Sequence, residues 1–257
     1  MTSLRVNNLT KRFGGIVAIE NVSFEIPESG ITAIIGPNGA GKTTLFSMIS
    51  GFQPPTEGTV AFEGEDITAM APERIAGKGL IRTFQLVQLF QNLTVLENVM
   101  IGRHTRTRAG LLAALLRPGW ARREERETEE AARELLDFVG LSGQANSLAS
   151  ILPYGQQRLL ELCRALAAQP KLLLLDEPAA GLNHNETENL SRTIRRIADR
   201  GTTVLLIEHD MKLVMNTADH IVVLNFGRKI AEGAPRDVEN NPDVIEAYLG
   251  GVEKVHA

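Results

Sequence analysis

"ITAIIGPNGAGKTTLFSMIS", residues 31–50, holds three local readings in one run. ITAII is short, apolar and rich in β-branched residues, which reads as a buried strand. KTTLFSMIS, from Lys42, reads as a helix. Between them lies GPNGAGKTT, Gly36 to Thr44, which meets the G-x-x-x-x-G-K-[ST] pattern at Gly36, Gly41, Lys42 and Thr43 and does so where that pattern needs to be, after a strand and opening a helix. Glycines let the backbone curl so that successive N–H groups converge on a phosphate. Lys42 then reaches the β and γ oxygens, and Thr43 offers its hydroxyl to Mg²⁺. Gly36, Pro37, Asn38, Gly39, Ala40, Gly41, Lys42, Thr43 and Thr44 are therefore the first candidates for binding a nucleoside triphosphate.

Working outward, residues 4–35 alternate apolar and polar, with Val22, Phe24 and Ile26 on one face, so the N-terminal part is sheet. FQPPTEG is turn chemistry and TVAFEG returns to strand. The middle third is helical: TVLENVMIG, then the charged EERETEEAARELLDFVG with Leu135, Leu136 and Val139 as its apolar stripe. After it come KLLLLDEP, a helix near 185–199, TTVLLIEHD, a short helix, and HIVVLNFGRKIAEG, which reads as a hairpin. Strands alternating with helices imply a mainly parallel sheet.

The strand LLLLD ends in Asp176 and Glu177. Carboxylates at the carboxyl end of a parallel strand stand where such sheets bind ligands. Asp176 suits Mg²⁺, and Glu177, one residue on, suits the task of polarising a water for in-line attack. ATP hydrolysis follows as the working reaction. Gln85, read as ending the strand LIRTFQ, can reach both Mg²⁺ and the attacking water. His209, ending TTVLLIEH, can touch a γ-phosphate or orient the water, and Phe13 in TKRFGG can stack on a base. Singly these types are ordinary: a polar surface Gln, a structural His, a core aromatic.

Bulk properties bound the alternatives. The chain has 257 residues, 23% of them charged, with a net charge of −4, so the basic excess of a nucleic-acid binder is missing. Cys163 is the one cysteine, so no internal disulfide can form; its place on an apolar helix face marks it as a buried structural thiol. No run approaches the roughly 18 to 20 apolar residues that span a bilayer, and a membrane role would be held through partners. The segment at 102–126 is basic, then apolar, then broken by Pro118 and Gly119, and holds the single Trp. It reads as a helical insertion packed on the body or as a docking surface.

One stretch duplicates a function. In ILPYGQQRLLELCRAL, residues 151–166, an amphipathic helix begins at a Gly, a second place where bare N–H groups meet anions.

In this order, GPNGAGKTT, Gln85, LPYGQQR, LLLLDEP, AAGLN and His209 resemble the nucleotide-binding subunit of ATP-binding cassette (ABC) transporters across essentially the whole chain. The resemblance implies one nucleotide-binding domain over 1–257. It has an α/β P-loop NTPase core of mainly parallel sheet flanked by helices (1–85 and 158–257), an antiparallel β subdomain, and an inserted α-helical subdomain at about 86–157. It also implies ATP and Mg²⁺ as cofactors, with Thr43, Gln85 and Asp176 at the metal, Glu177, His209 and Gln85 in catalysis, and Phe13 against the base. Tyr154, Gly155 and Gln156 would belong to a signature loop that closes over ATP held by a second cassette, identical or related, which explains why one chain carries two phosphate nests. Two integral-membrane permeases, and indirectly a solute-binding protein, complete the implied assembly at the cytoplasmic face of the membrane.

Three positions depart from the family pattern: Pro153 stands where Ser is usual, Phe13 where Tyr is usual, and Asn183 where Asp is common. GLIRTFQLVQLFQNLTVLENVMIG, EHDMKLVM and VLNFGRKIAEGAP look like the ATPases of bacterial branched-chain, or hydrophobic, amino acid importers. Urea and short amides are the neighbouring substrate classes, and a soluble ABC ATPase outside transport is the rival reading.

Overall fold

Alternation builds the first layer. In the computed structural model, which describes residues 2–104 and 119–249, strands β1 (Thr2–Phe13) and β2 (Ile16–Pro27) pair antiparallel around a turn at Gly14 and Gly15. Leu4, Val6, Val22, Phe24 and Ile26 all fall on the buried face. The opening stretch then resolves as read: β3 (Ile31–Ile35), buried at every residue, leads through the loop into helix α1 (Lys42–Ile49). β4 (Glu57–Phe62) returns to pair with β1, and the short β5 (Glu65–Asp66) follows it. Helix α2 (Pro72–Gly77) precedes β6 (Leu80–Arg82).

Among the described residues three α-helices come next: α3 (Val95–Gly102), α4 (Gly119–Val139) and α5 (Tyr154–Ala167). α3 begins with a capping box, Thr94 accepting from the Glu97 N–H while the Glu97 carboxylate accepts from that of Thr94, which satisfies two otherwise orphaned donors. The chain then alternates: β7 (Leu172–Asp176), α6 (His184–Asp199), β8 (Thr203–Ile207), α7 (Met211–Thr217), and the hairpin β9 (His220–Asn225) with β10 (Arg228–Gly233). Helices α8 (Pro235–Glu239) and α9 (Pro242–Leu249) end the described chain.

Two compact units result, residues 1–82 with 171–257, and residues 83–170. The first contains a four-stranded antiparallel sheet, ordered β2-β1-β4-β5, and a six-stranded sheet, ordered β10-β9-β3-β8-β7-β6. The second sheet is parallel except for its terminal hairpin. Leu45, Phe46 and Ile49 of α1 join Leu4, Phe24 and Phe62 from the first sheet and Leu174, Leu205 and Val222 from the second in one continuous core. Truncating a buried Phe in such a place costs about 3–5 kcal/mol. The core thereby fixes the helix whose first turn bears Lys42.

The second unit holds α3, α4 and the whole of α5. Leu136 and Val139 of α4 are buried as the stripe requires, with Leu135 partly covered. Cys163 is fully buried, its Sγ 3.3 Å from the Leu135 carbonyl oxygen, and burial raises its pKa, as a structural thiol should show. Most of the 102–126 insertion, residues 105–118, lies outside the described residues.

One strand ends earlier than its sequence implies. β6 stops at Arg82, although LIRTFQ reads as strand through Gln85. Its edge ladder to β7 closes at the Arg82–Leu174 pair. Within the second unit, the carbonyls of Phe84 and Gln85 instead accept from the guanidinium of Arg158.

Candidate nucleotide site

Parallel strand order sets the site. β8 lies between β3 and β7, so the loop after β3, the carboxylates after β7 and the histidine after β8 all leave the same carboxyl edge of one sheet. Along that edge a cavity of about 400 Å³ is lined by the loop from Asn38 to Thr44, by Glu177, and by the apolar side chains of Ile16, Val17 and Phe226.

The loop is shaped by its glycines. Gly41 caps α1 at φ 98°, and a Cβ there would stand 2.7 Å from the Ala18 carbonyl oxygen, so only glycine fits. Lys42 is 6% exposed and its Nζ donates to the carbonyls of Gly36 (2.7 Å) and Pro37 (3.0 Å). Burial lowers its pKa from the usual lysine range, while the charges of Glu177 and Asp176 oppose that shift. The ammonium is thus held inside the loop, facing an acidic pair. Thr43 is exposed at the cavity.

At the end of β7 the two carboxylates have different surroundings. Asp176 is 4% exposed and its Oδ2 lies 2.7 Å from the guanidinium of Arg82, itself buried. The same guanidinium approaches Ser50 Oγ at 3.0 Å and lies over the rings of Phe46 and Phe52. Glu177 adopts φ 45°, a backbone region unfavourable for a residue with a Cβ, and its N–H donates to the Ile207 carbonyl. Strain of this kind gathers at functional sites, and Glu177 lines the cavity. His209 Nδ1 stands 3.6 Å from Glu177 Oε2.

Behind His209 lies Glu208, fully buried, which accepts from the N–H groups of Ala179 (2.8 Å), His209 (3.1 Å) and Asp210 (3.4 Å). Burial raises its pKa against those three donors. Glu208 thereby ties the loop after β7 to the loop after β8.

The structure brings the Asn38–Thr44 loop and Glu177 to one cavity, and places His209 beside Glu177 and Asp176 on the adjoining strand. Phe13 ends β1, is 46% exposed, and carries the Lys11 ammonium 5.1 Å from its ring centre; it is not among the described residues lining the cavity. Gln85 is exposed and falls in the second unit, as do Tyr154, Gly155 and Gln156 in the first turn of α5. Pro153 is the residue before that turn, without a side-chain cap. Gly155 is buried, Tyr154 is 42% exposed, and the Gln156 and Gln157 N–H groups donate to the Pro153 carbonyl.

Sequence reasoning passes over Arg82, Glu208 and Phe226. Arg82 meets Asp176 across 94 residues, a contact with no local pattern. Glu208 could have been suspected, since a charged residue closes an otherwise apolar strand.

Comparisons with known proteins agree with this geometry. A family model described as ABC transporter matches residues 19–180, and a second, described as branched-chain amino acid ATP-binding cassette transporter, matches residues 228–254. Over 248 residues, 96% of this chain and 97% of the relative, the sequence is 47% identical to the high-affinity branched-chain amino acid transport ATP-binding protein BraF of Pseudomonas aeruginosa. It is 46% identical over the same shares to LivG of Escherichia coli, which bears the same description. Among solved structures it resembles the ADP conformation of MJ1267, an ATP-binding cassette of an ABC transporter. There the TM-score is 0.85 at 37% identity over 97% of this chain and 99% of that one. It also resembles a dimeric post-hydrolysis state of the cassette MJ0796 bound to ADP and Pi, with a TM-score of 0.76 at 27% identity over 91% and 99%. With its phosphate loop, paired carboxylates and cassette fold, this chain belongs to the ABC transporter family, as an ATP-binding ATPase subunit.

Proposed function

We propose that this ATPase powers import of branched-chain amino acids. The observation that carries the reading is near-full-length identity of 46–47% to branched-chain amino acid transport ATP-binding proteins, reinforced by the separate match at residues 228–254. In this reading the substrate never touches the chain. Backbone N–H groups of Asn38 to Thr44 and the Lys42 ammonium hold the β and γ phosphates, exchanging the Gly36 and Pro37 carbonyls for phosphate oxygens.

The donor set also suits Mg²⁺, which prefers one or two carboxylates with phosphate oxygens and waters to an all-protein cage. Thr43 and Asp176 would hold it, and when bound it would supply neutralisation of the phosphate charge. Glu177 accepts a proton from the attacking water, and His209 beside it orients that water toward the γ-phosphate. Tyr154, Gly155 and Gln156 serve the ATP of a second cassette. The helical subdomain at about 86–157 presents this signature loop, a reading supported by the compactness of residues 83–170 as a unit. ATP between two cassettes then acts as a removable link, and its hydrolysis releases charge-assisted hydrogen bonds worth about 1.5–3 kcal/mol each.

Among the described residues no helix is long and apolar enough to cross a membrane. Two permeases and a second cassette would therefore hold the subunit peripherally at the cytoplasmic face, with a solute-binding protein acting from the other side. The test is mild-detergent capture of the chain from its native membranes, followed by reconstitution of what is recovered. Recovery with two permeases, and ATP turnover stimulated by leucine, isoleucine or valine with the binding protein present, is expected. Stimulation by a different solute class would overturn the amino acid assignment, and activity without any membrane partner would overturn the importer.

A further inference from the structure

We propose that Phe226, at the tip of the β9–β10 hairpin, is a nucleotide-base contact that forms with Ile16 an apolar clamp above the phosphate loop. The inference deepens the ATP-binding reading and rests on it. Asn225 pairs with Arg228, so Phe226 and Gly227 form a two-residue turn, and both have positive φ, 44° and 78°. Such turns favour Asn-Gly or Gly-Gly. A phenylalanine there strains its backbone, and this residue is also 84% exposed to water. Neither folding nor solubility explains a residue that is unfavourable in both respects.

Its position does. Gly227 donates from its N–H to the carbonyl of Ala40 within the phosphate loop and accepts from the N–H of Glu20. The Arg228 guanidinium pairs with the Glu20 carboxylate at 2.7 Å. A Cβ on Gly227 would stand 2.6 Å from the Ala18 carbonyl oxygen, so the tip is pressed against β2 with no slack. The hairpin is thus fastened to the loop that takes phosphate, and Phe226 is held ready at the rim of the same cavity. Ile16, 72% exposed, and Val17, 36% exposed, line that cavity too. A polar floor of N–H groups under an apolar lip matches a ligand with phosphates at one end and a flat, uncharged ring at the other. Phe13, the ring expected from sequence, is not among the described residues that line this cavity.

The experiment compares the purified chain with Phe226→Ala and Phe226→Asn, titrating each with ATP and with inorganic tripolyphosphate, and recording thermal unfolding without nucleotide. Both variants should bind ATP roughly five- to a hundredfold more weakly, the range of one lost base–aromatic stack. Tripolyphosphate binding should be unchanged. Phe226→Asn should unfold at a higher temperature, because Asn tolerates the backbone that Phe strains, which separates the loss of ATP from damage to the fold. Equal weakening of both ligands, or of neither, overturns the clamp while leaving ATP binding in place. ATP binding unchanged in a monomer, with nucleotide-driven dimerisation lost, also overturns it and gives Phe226 to a contact with a second cassette. A wild-type chain that binds ATP no better than tripolyphosphate overturns the clamp alone, whereas one that binds neither ligand brings down the nucleotide reading with it.

Discussion

Arg82 shows how a single residue conditions the chemistry beside it. Asp176 is buried at the end of β7, and an ionised carboxylate with no cation there would be costly; the guanidinium of Arg82 takes one oxygen and leaves the other for a ligand. Removing one partner of a buried pair is worse than never having built it. Arg82→Met is therefore expected to lower unfolding free energy by about 3–5 kcal/mol in urea, and Arg82→Lys to restore part of it by keeping the charge without the planar fork. If Arg82→Met unfolds at the wild-type midpoint, Asp176 does not depend on the pair. Glu177 differs in kind, being strained, partly exposed and beside His209. Glu177→Gln keeps the volume and the hydrogen-bonding shape but cannot take a proton. Turnover should fall roughly a hundred- to ten-thousandfold while ATP affinity stays near wild type, as single-turnover kinetics and equilibrium binding would show. Undiminished hydrolysis would remove Glu177 from the mechanism.

Elements show which parts of this were legible in the sequence. The strand, loop and helix of residues 31–50 were, because their geometry is local: five apolar residues make β3, glycines make the turn, and Lys42 opens α1. The hairpin at 220–233 was legible as pairing, but not as a clamp, since its contact with Ala40 joins parts of the chain far apart in sequence. LIRTFQ reads as strand three residues beyond β6 because Thr83 and Phe84 keep the β-propensity of the run after the ladder has closed. Glu208 is a further case, visible as a residue but silent about its three N–H donors. Burial holds its pKa above the ordinary 4.5. As pH rises from that value through the raised one, the unfolded chain has released a proton that the folded chain still keeps, so the stability Glu208 contributes falls. Urea unfolding of wild type and Glu208→Gln between about pH 5 and pH 8 should show wild type losing ground to the variant as pH rises. A difference that is flat, or that grows in favour of wild type, would mean the carboxylate is already ionised in the fold.

At the scale of the whole molecule the phosphate loop and the proposed second nest have to be reconciled. The loop before α1 belongs to one compact unit and the first turn of α5 to the other. A related cassette, MJ0796, has been solved as a dimer bound to ADP and Pi. If α5 serves the neighbour's ATP, association of this chain should depend on nucleotide, and the residue before its first turn should tune it. Pro153 has φ −54° and ψ 151°, an extended backbone that serine adopts without strain, and its side chain makes no cap. Serine at this position can either donate to a γ-phosphate or accept from an N–H of its own helix. The first adds a charge-assisted bond worth about 1.5–3 kcal/mol at each of two symmetric sites; the second adds nothing to association. Pro153→Ser on the Glu177→Gln background, followed by sedimentation with and without Mg²⁺ and ATP, should therefore show dimerisation that is tighter or unchanged, and monomers when nucleotide is withheld. Clearly weaker ATP-driven dimerisation would mean that the start of α5 does not face a neighbour's phosphate, and the second nest would need another ligand.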